Sequence, residues 1–150
     1  MSTAPHQQLG LTHLFTATNE IAGVRTIDRG PSGLRVAIRF SEGRFEGERL
    51  NGRLDPAGTH EESVVRSDGV VISDVEMLLV TDDGADILMT YTATSVATPT
   101  GLSIVKYPIF EAGDERYAWI NQVQAIALQS MDDGVLSPNH VYALPPVSAS

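Results

Sequence analysis

The sequence predicts an all-β fold: a closed antiparallel barrel of eight or nine strands with at most one short helix. Three observations carry this. β-branched residues are dense along most of the chain, and Gly paired with Asp, Glu or Asn recurs at short intervals, the pattern of short strands joined by tight turns. Segments such as "LRVAIRF" alternate strictly, with Leu34, Val36, Ile38 and Phe40 on one side and Arg35, Ala37 and Arg39 on the other, as in a half-buried strand. Closure into an up-and-down barrel removes the edge strands that so many β segments would otherwise expose. A sandwich is the alternative closure.

The elements follow in order. Residues 1–10 read as a flexible N-terminal arm, 11–145 as a single barrel domain and 146–150 as a tail. "LTHLFTATNE" reads as the first strand. "GVRTIDRGPSG" (23–33) reads as a loop, because Gly-Pro-Ser-Gly interrupts any strand. After "LRVAIRF" come Gly43, Gly47 and Gly52 within "GRFEGERLNGRLD", spaced as where a sheet bends or two backbones approach closely. The run from Glu61 to Ser95 gives three strands separated by Asp68-Gly69 and Asp83-Gly84. Asp-Gly between apolar runs predicts a hairpin, since Gly accepts positive φ. Asp82 and Asp83 belong to that turn, as their spacing does not fit a calcium loop. "TATSVATPTGLS" (92–103) is the best candidate for the short helix or a loop. "SIVKYPIFEA" reads as a strand with Pro108 at an edge or bulge. "RYAWINQVQAIALQS" reads as the longest strand and "MDDGVLSPNHVYAL" as a turn and a last strand.

Bulk properties narrow the function. The 150 residues suit one domain able to build its own core. With no cysteine, disulfides, thiolate metal sites and cysteine nucleophiles are excluded. Ten basic against 19 acidic residues give a net charge of −9, which repels phosphate backbones and anionic membranes. Arg35, Arg39, Arg44, Arg49 and Arg53 are interleaved with Glu42, Glu46 and Glu48, so no basic patch is expected. No nucleic-acid or membrane partner is expected. The amino terminus has neither a basic start nor an apolar run, and a cytoplasmic location is expected.

Four motifs occur in order: "GRFEGERLNG" (43–52), "VVRSDGVVIS" (64–73), "LLVTDDGADIL" (78–88) and "PIFEAGDERYAWINQV" (108–123). Together, over about residues 10–145, they resemble a family of small bacterial and fungal proteins catalogued as domain of unknown function 3237. The resemblance implies a calycin-like barrel similar to allene oxide cyclase, often a homodimer, with some relatives associated with small-molecule biosynthesis. It implies no established common activity, although allene oxide cyclase closes a ring without a cofactor. Two departures stand out. Glu42-Gly43 replaces the usual paired glycine, and His60, Glu61 and Glu62 stand where the family often has a tryptophan.

Candidate site residues come mainly from the segment 108–123. Read as a strand, 116–124 turns Tyr117, Trp119, Asn121 and Val123 to one face. Two aromatic rings and an amide there would suit a concave ligand pocket, so Tyr117, Trp119 and Asn121, with His60, are the expected substrate-binding residues. Equally, the two aromatics could be ordinary core. Glu46 and Glu111 each follow a phenylalanine. If those phenylalanines pack outside, both carboxylates enter the lumen, where an apolar setting raises their pKa and suits them to acid–base work. Tyr91 could add a lumen hydroxyl, and these three are the expected catalytic residues. The competing reading makes the glutamates solvated partners of Arg44, Arg49 or Arg116. His6, His13, His60 and His140 are scattered; a site built from His60, Glu62 and His140 is the only metal arrangement they suggest, and none is expected. No glycine-rich phosphate loop precedes a helix and no Gly-x-Ser-x-Gly elbow is present, so no cofactor is expected either.

The resulting expectation is a cofactor-independent isomerase, cyclase or lyase acting on a small, partly hydrophobic carbonyl compound inside the barrel. The alternatives are a non-catalytic, lipocalin-like carrier of a similar ligand and an interaction protein whose lumen is filled by side chains.

Overall fold

The computed structural model describes residues 8–147. Its strands are β1 (Thr12–Gly30), β2 (Gly33–Glu46), β3 (Gly52–Val65), β4 (Val71–Thr81), β5 (Asp86–Thr98), β6 (Gly101–Ala112), β7 (Ala125–Asp132), β8 (Val135–Leu136) and β9 (Asn139–Ala143). A 3₁₀ helix, Glu115–Gln122, lies between β6 and β7. Strands β1 to β6 pair in sequence order, β6 pairs β7, β7 pairs β9 and β9 pairs β1, all antiparallel. Eight strands thus close into a barrel, and the two-residue β8 hangs from β7 as an extra ribbon. No helix among the described residues is long and apolar enough to cross a membrane. Most of the expected N-terminal arm, residues 1–7, and the end of the tail, 148–150, lie outside the described residues.

The Asp-Gly signals fall where the turns are. Gly69 and Gly84 have φ of +86° and +91°, conformations that a Cβ would strain. Asp133 and Gly134 both have positive φ, 50° and 79°, as the favoured two-residue hairpin requires. The glycines of 43–52 serve close approach. A Cβ at Gly52 would strike the Val80 carbonyl and the Phe45 ring, and one at Gly47 would strike the Leu14 carbonyl.

Three local readings are corrected. Residues 23–33 are strand except for the turn at Pro31-Ser32, because β1 runs on to Gly30 and pairs with β2 through Ile27 opposite Arg35. Bulges between Glu20 and Gly23 absorb the irregularity, and the β-branched Val24, Thr26 and Ile27 suit the strand. Residues 92–103 are not a helix: β5 and β6 continue to a tight turn at Pro99-Thr100. Residues 115–122 are not a strand but the 3₁₀ helix. Asp114 caps it, its Oδ1 accepting from the Arg116 N–H at 2.9 Å, a local bond that outcompetes the strand preference of Tyr, Trp and Ile.

Pro108 explains where that helix fits. β6 pairs with β7 only through Gly101–Lys106, so beyond Lys106 one side of β6 has no ladder partner and a missing N–H costs little. The helix covers this gap and closes one end of the barrel with Ile120, which is wholly buried. Against it lies a dense floor in which Phe15, Phe45, Leu50, Ile87, Met89 and Val141 are inaccessible. Phe15 sits 5.5 Å from Phe45 and 6.1 Å edge-on from Phe110, centroid to centroid; such contacts add roughly 1 kcal/mol each beyond area burial.

Candidate functional site

Toward the opposite end the inward positions become small. Ser63 on β3, Ser73 on β4 and Ala93 and Ser95 on β5 alternate with outward residues, and their size leaves the barrel unfilled. The result is a cavity of about 320 Å³. Ile38, Phe40, Leu102, Ile104 and Met131 give it a largely apolar wall, and the β8 ribbon with Ser137 and Pro138 borders its mouth. Ser63 and Ser73 satisfy each other at 2.7 Å between hydroxyls.

Among the described residues, three titratable side chains line this cavity: Glu61, Tyr91 and Lys106. Strand alternation places each one. Glu61 shares a face with Ser63, Tyr91 lies between Met89 and Ala93, and Lys106 stands between Ile104 and the buried Pro108. Lys106 is only 7% exposed. Its Nζ donates to Oε1 of Gln129 at 2.8 Å and lies 5.1 Å from the centre of the Tyr91 ring. Gln129 is fixed in turn, its Nε2 donating to the Ser137 carbonyl at 2.9 Å. Among the described residues Lys106 forms no ion pair within 4 Å.

Burial sets the protonation of all three. It lowers Lys106 to about 8, with the charge of Glu61 holding the ammonium up in part. It raises Glu61, against the opposing pull of the Lys106 charge and the Ser73 hydroxyl. It raises Tyr91 far above the usual phenol range, and the Glu61 charge raises it further. The cavity therefore offers a neutral phenol, a carboxyl with raised proton affinity and an amine whose pKa is brought down to about 8.

Of the residues expected from sequence, Tyr91 faces this cavity. Glu46 and Glu111 do not. Phe45 and Phe110 occupy the interior at 1% and 6% exposure, so alternation turns both glutamates outward. Glu46 is exposed and lies 3.5 Å from the Arg44 guanidinium, and Glu111 is exposed on β6. His60 is also on the outer face, 3.8 Å from Glu76. It lines a shallow external groove with Glu62, Tyr107 and Ile109, while His140 lies on β9, bonded to Thr16 at 2.9 Å. Among the described residues no three His, Asp or Glu side chains are grouped to hold a metal.

Tyr117, Trp119 and Asn121 belong to the 3₁₀ helix at the closed end, not to the cavity. The Tyr117 hydroxyl donates to Asp83 Oδ1 at 2.7 Å, which fixes the helix to the β4–β5 turn. Arg49 lies over Trp119 at 3.8 Å, a cation–π contact. Asn121 accepts from the Ala112 N–H at 2.6 Å and donates to the Ala112 carbonyl at 2.9 Å. The polar richness of "EAGDERYAWINQV" thus serves to fasten a plug.

The sequence reading missed Lys106 and Gln129. A signal for Lys106 was present: it is the only lysine in the chain, and it occupies the inward register of a strand.

Comparison with known proteins follows the same outline. The signature of the family described as protein of unknown function (DUF3237) matches residues 9–142. A β-barrel-like protein from Acinetobacter baumannii is 25% identical, with a TM-score of 0.81 over 97% of this chain and 100% of that one. A protein of unknown function from Clostridium acetobutylicum is 21% identical, with a TM-score of 0.82 over 92% and 100% of the two chains. An enzyme from Penicillium herquei is 21% identical, with a TM-score of 0.76 over 97% and 100%. A search of curated proteins finds no match.

Proposed function

The chain belongs to the DUF3237 family, and from that footing we propose that it is a cofactor-independent isomerase, cyclase or lyase acting on a small, partly hydrophobic carbonyl compound held in the barrel. The observation that carries this reading is the meeting of Glu61, Tyr91 and Lys106 on the wall of one largely apolar cavity. Apolar surroundings with a few orienting polar groups suit a ligand of this kind. Displaced proton affinities in a cleft suit acid–base chemistry.

In this proposal the apolar wall folds the substrate and excludes water. The Tyr91 hydroxyl, neutral across the working range, donates to the carbonyl oxygen and stabilises the oxyanion that develops there. Glu61, as carboxylate, takes a proton from the carbon next to the carbonyl and delivers one at the far end of the rearranging system, and Lys106 holds the substrate against these groups. Tyr91 thus keeps the catalytic place expected of it, and Glu61 takes the acid–base role expected of Glu46 or Glu111. That the Penicillium herquei relative of similar fold is an enzyme supports catalysis on this scaffold by analogy. A homodimer in the cytoplasm belongs to the same proposal, and sedimentation of the purified chain tests the dimer.

The decisive experiment is native mass spectrometry of the protein purified from its own host, then a turnover assay on the retained compound. Glu61→Gln and Tyr91→Phe are each expected to lower turnover by about 100-fold or more while the compound still binds. Full turnover in both variants overturns the mechanism. Binding with no turnover at any pH makes the protein a carrier.

A further inference from the structure

We infer that Lys106 binds its guest covalently: its amine condenses with the carbonyl carbon of an aldehyde or ketone in the cavity to form an imine. This rests on the reading of the cavity as a carbonyl site and goes further, by naming the atom to which the guest is joined.

The first ground is the distribution of cations. Of the ten basic residues, nine are arginines and one is lysine. Arginine stays protonated under all ordinary conditions and makes a poor nucleophile, whereas a lysine amine can shed its proton when buried. The chain's single lysine is on the inner wall of the barrel, 7% exposed.

The second ground is the setting of Nζ. A structural buried ammonium is normally compensated by a carboxylate in contact. Lys106 instead has one neutral acceptor, Gln129 Oε1 at 2.8 Å, and the face of Tyr91. These orient the amine without stabilising its charge fully, and desolvation brings its pKa to about 8. Near neutral pH a useful minority of the amine is therefore free to attack, the condition that activates lysine nucleophiles in apolar pockets. The Gln129 amide is held to the Ser137 backbone, so the amine is aimed by the wall rather than left on a mobile stem.

The third ground is the chemistry that the neighbours can complete. The Nζ lone pair adds to the carbonyl carbon, forming the C–N bond, and the oxygen gains a proton to give a carbinolamine. The C–O bond then breaks and the hydroxyl leaves as water. Glu61, whose proton affinity is raised by burial, supplies the proton and regains one as the nitrogen loses its own. One carbonyl and one amine become one imine and one water, with no oxidant or reductant. The protonated imine withdraws electrons more strongly than the carbonyl did, easing loss of a neighbouring proton or cleavage of a neighbouring bond.

The test uses the whole chain, benzaldehyde as probe and sodium cyanoborohydride to reduce any imine. The N-terminal amine is the only other primary amine of the 150 residues, so peptide mapping gives an unambiguous answer. The expected result is an adduct of the aldehyde's mass less one oxygen on the Lys106 peptide, formed roughly tenfold faster than on the terminal amine and lost in Lys106→Met. The map of the wild-type chain decides even where Lys106→Met does not fold. Binding of benzaldehyde without reductant is followed in parallel by ligand-observed NMR. Binding with no adduct, or with an adduct on the terminal amine alone, overturns the imine while leaving the cavity reading intact. Neither binding nor adduct overturns both.

Discussion

Nζ of Lys106 lies 2.8 Å from Oε1 of Gln129, a side-chain bond added to the β6–β7 ladder on the cavity side. The titratable groups of the neighbouring strands that face it are Glu61 on β3, whose charge favours the ammonium, and Tyr91 on β5, which stays neutral. With a single lysine, a protein carrying ¹³C-labelled lysine gives one ε-carbon signal. Its titration midpoint is expected near pH 8. Gln129→Met removes an acceptor of the ammonium and Glu61→Gln removes a favourable charge, so both variants should titrate lower still. A wild-type midpoint at the ordinary 10.5 refutes this environment.

Stability should follow from the same displacement. The folded pKa of Lys106, about 8, lies below the unfolded value near 10.5, so between these pH values the unfolded chain holds more protons. The cost of the buried charge is fully present below pH 8 and disappears as pH rises toward 10.5. The displacement corresponds to about 3 kcal/mol. Lys106→Met is therefore expected to be more stable than wild type at neutral pH, with the gap narrowing as pH is raised from 8 toward 10. Comparing the two proteins cancels the opposing effect of Tyr91, whose raised pKa reduces stability above pH 10 in both. Denaturant midpoints across this range check it.

Asn121→Ala should loosen the closed end. It deletes two hydrogen bonds to the Ala112 backbone and is expected to cost about 1–2 kcal/mol. Benzaldehyde binding should be unchanged, because the plug does not line the cavity. A loss of binding without a loss of stability contradicts the assignment of this segment to the floor.

Gly52→Ala should be among the most damaging single-methyl changes. The added carbon meets the Val80 carbonyl and the Phe45 ring, both held in the floor, and an expected cost of about 3 kcal/mol follows from overpacking. Thermal unfolding measures it directly.

Much of the fold was legible because its signals are local. The alternation of Leu34 to Phe40 and the Asp-Gly turns at 68–69 and 83–84 depend on neighbours in sequence. The site was harder because facing depends on which of two alternating sets the core accepts. Phe45 and Phe110 took the interior, and that choice carried Glu46 and Glu111 outside. Segment 115–122 has strand-like composition, yet the Asp114 cap and the gap in the sheet beyond Lys106 favour a helix there, and only the sheet reveals that gap. Glu61 was visible as a departure at the place where the family often has a tryptophan. Lys106 was visible as the lone lysine, but its partner Gln129 is 23 residues away, and no local pattern joins them.

Ile120 and the aromatic layer beneath it stop one end of the barrel, which leaves the cavity to be reached from the side of the β8 ribbon. Under the proposed function, reactant and product share that passage, and a spent molecule departs before its successor arrives. Crowding of that doorway, by excess reactant or by a bulky analogue lodged at Leu136 and Pro138, would throttle throughput without disturbing the reacting atoms.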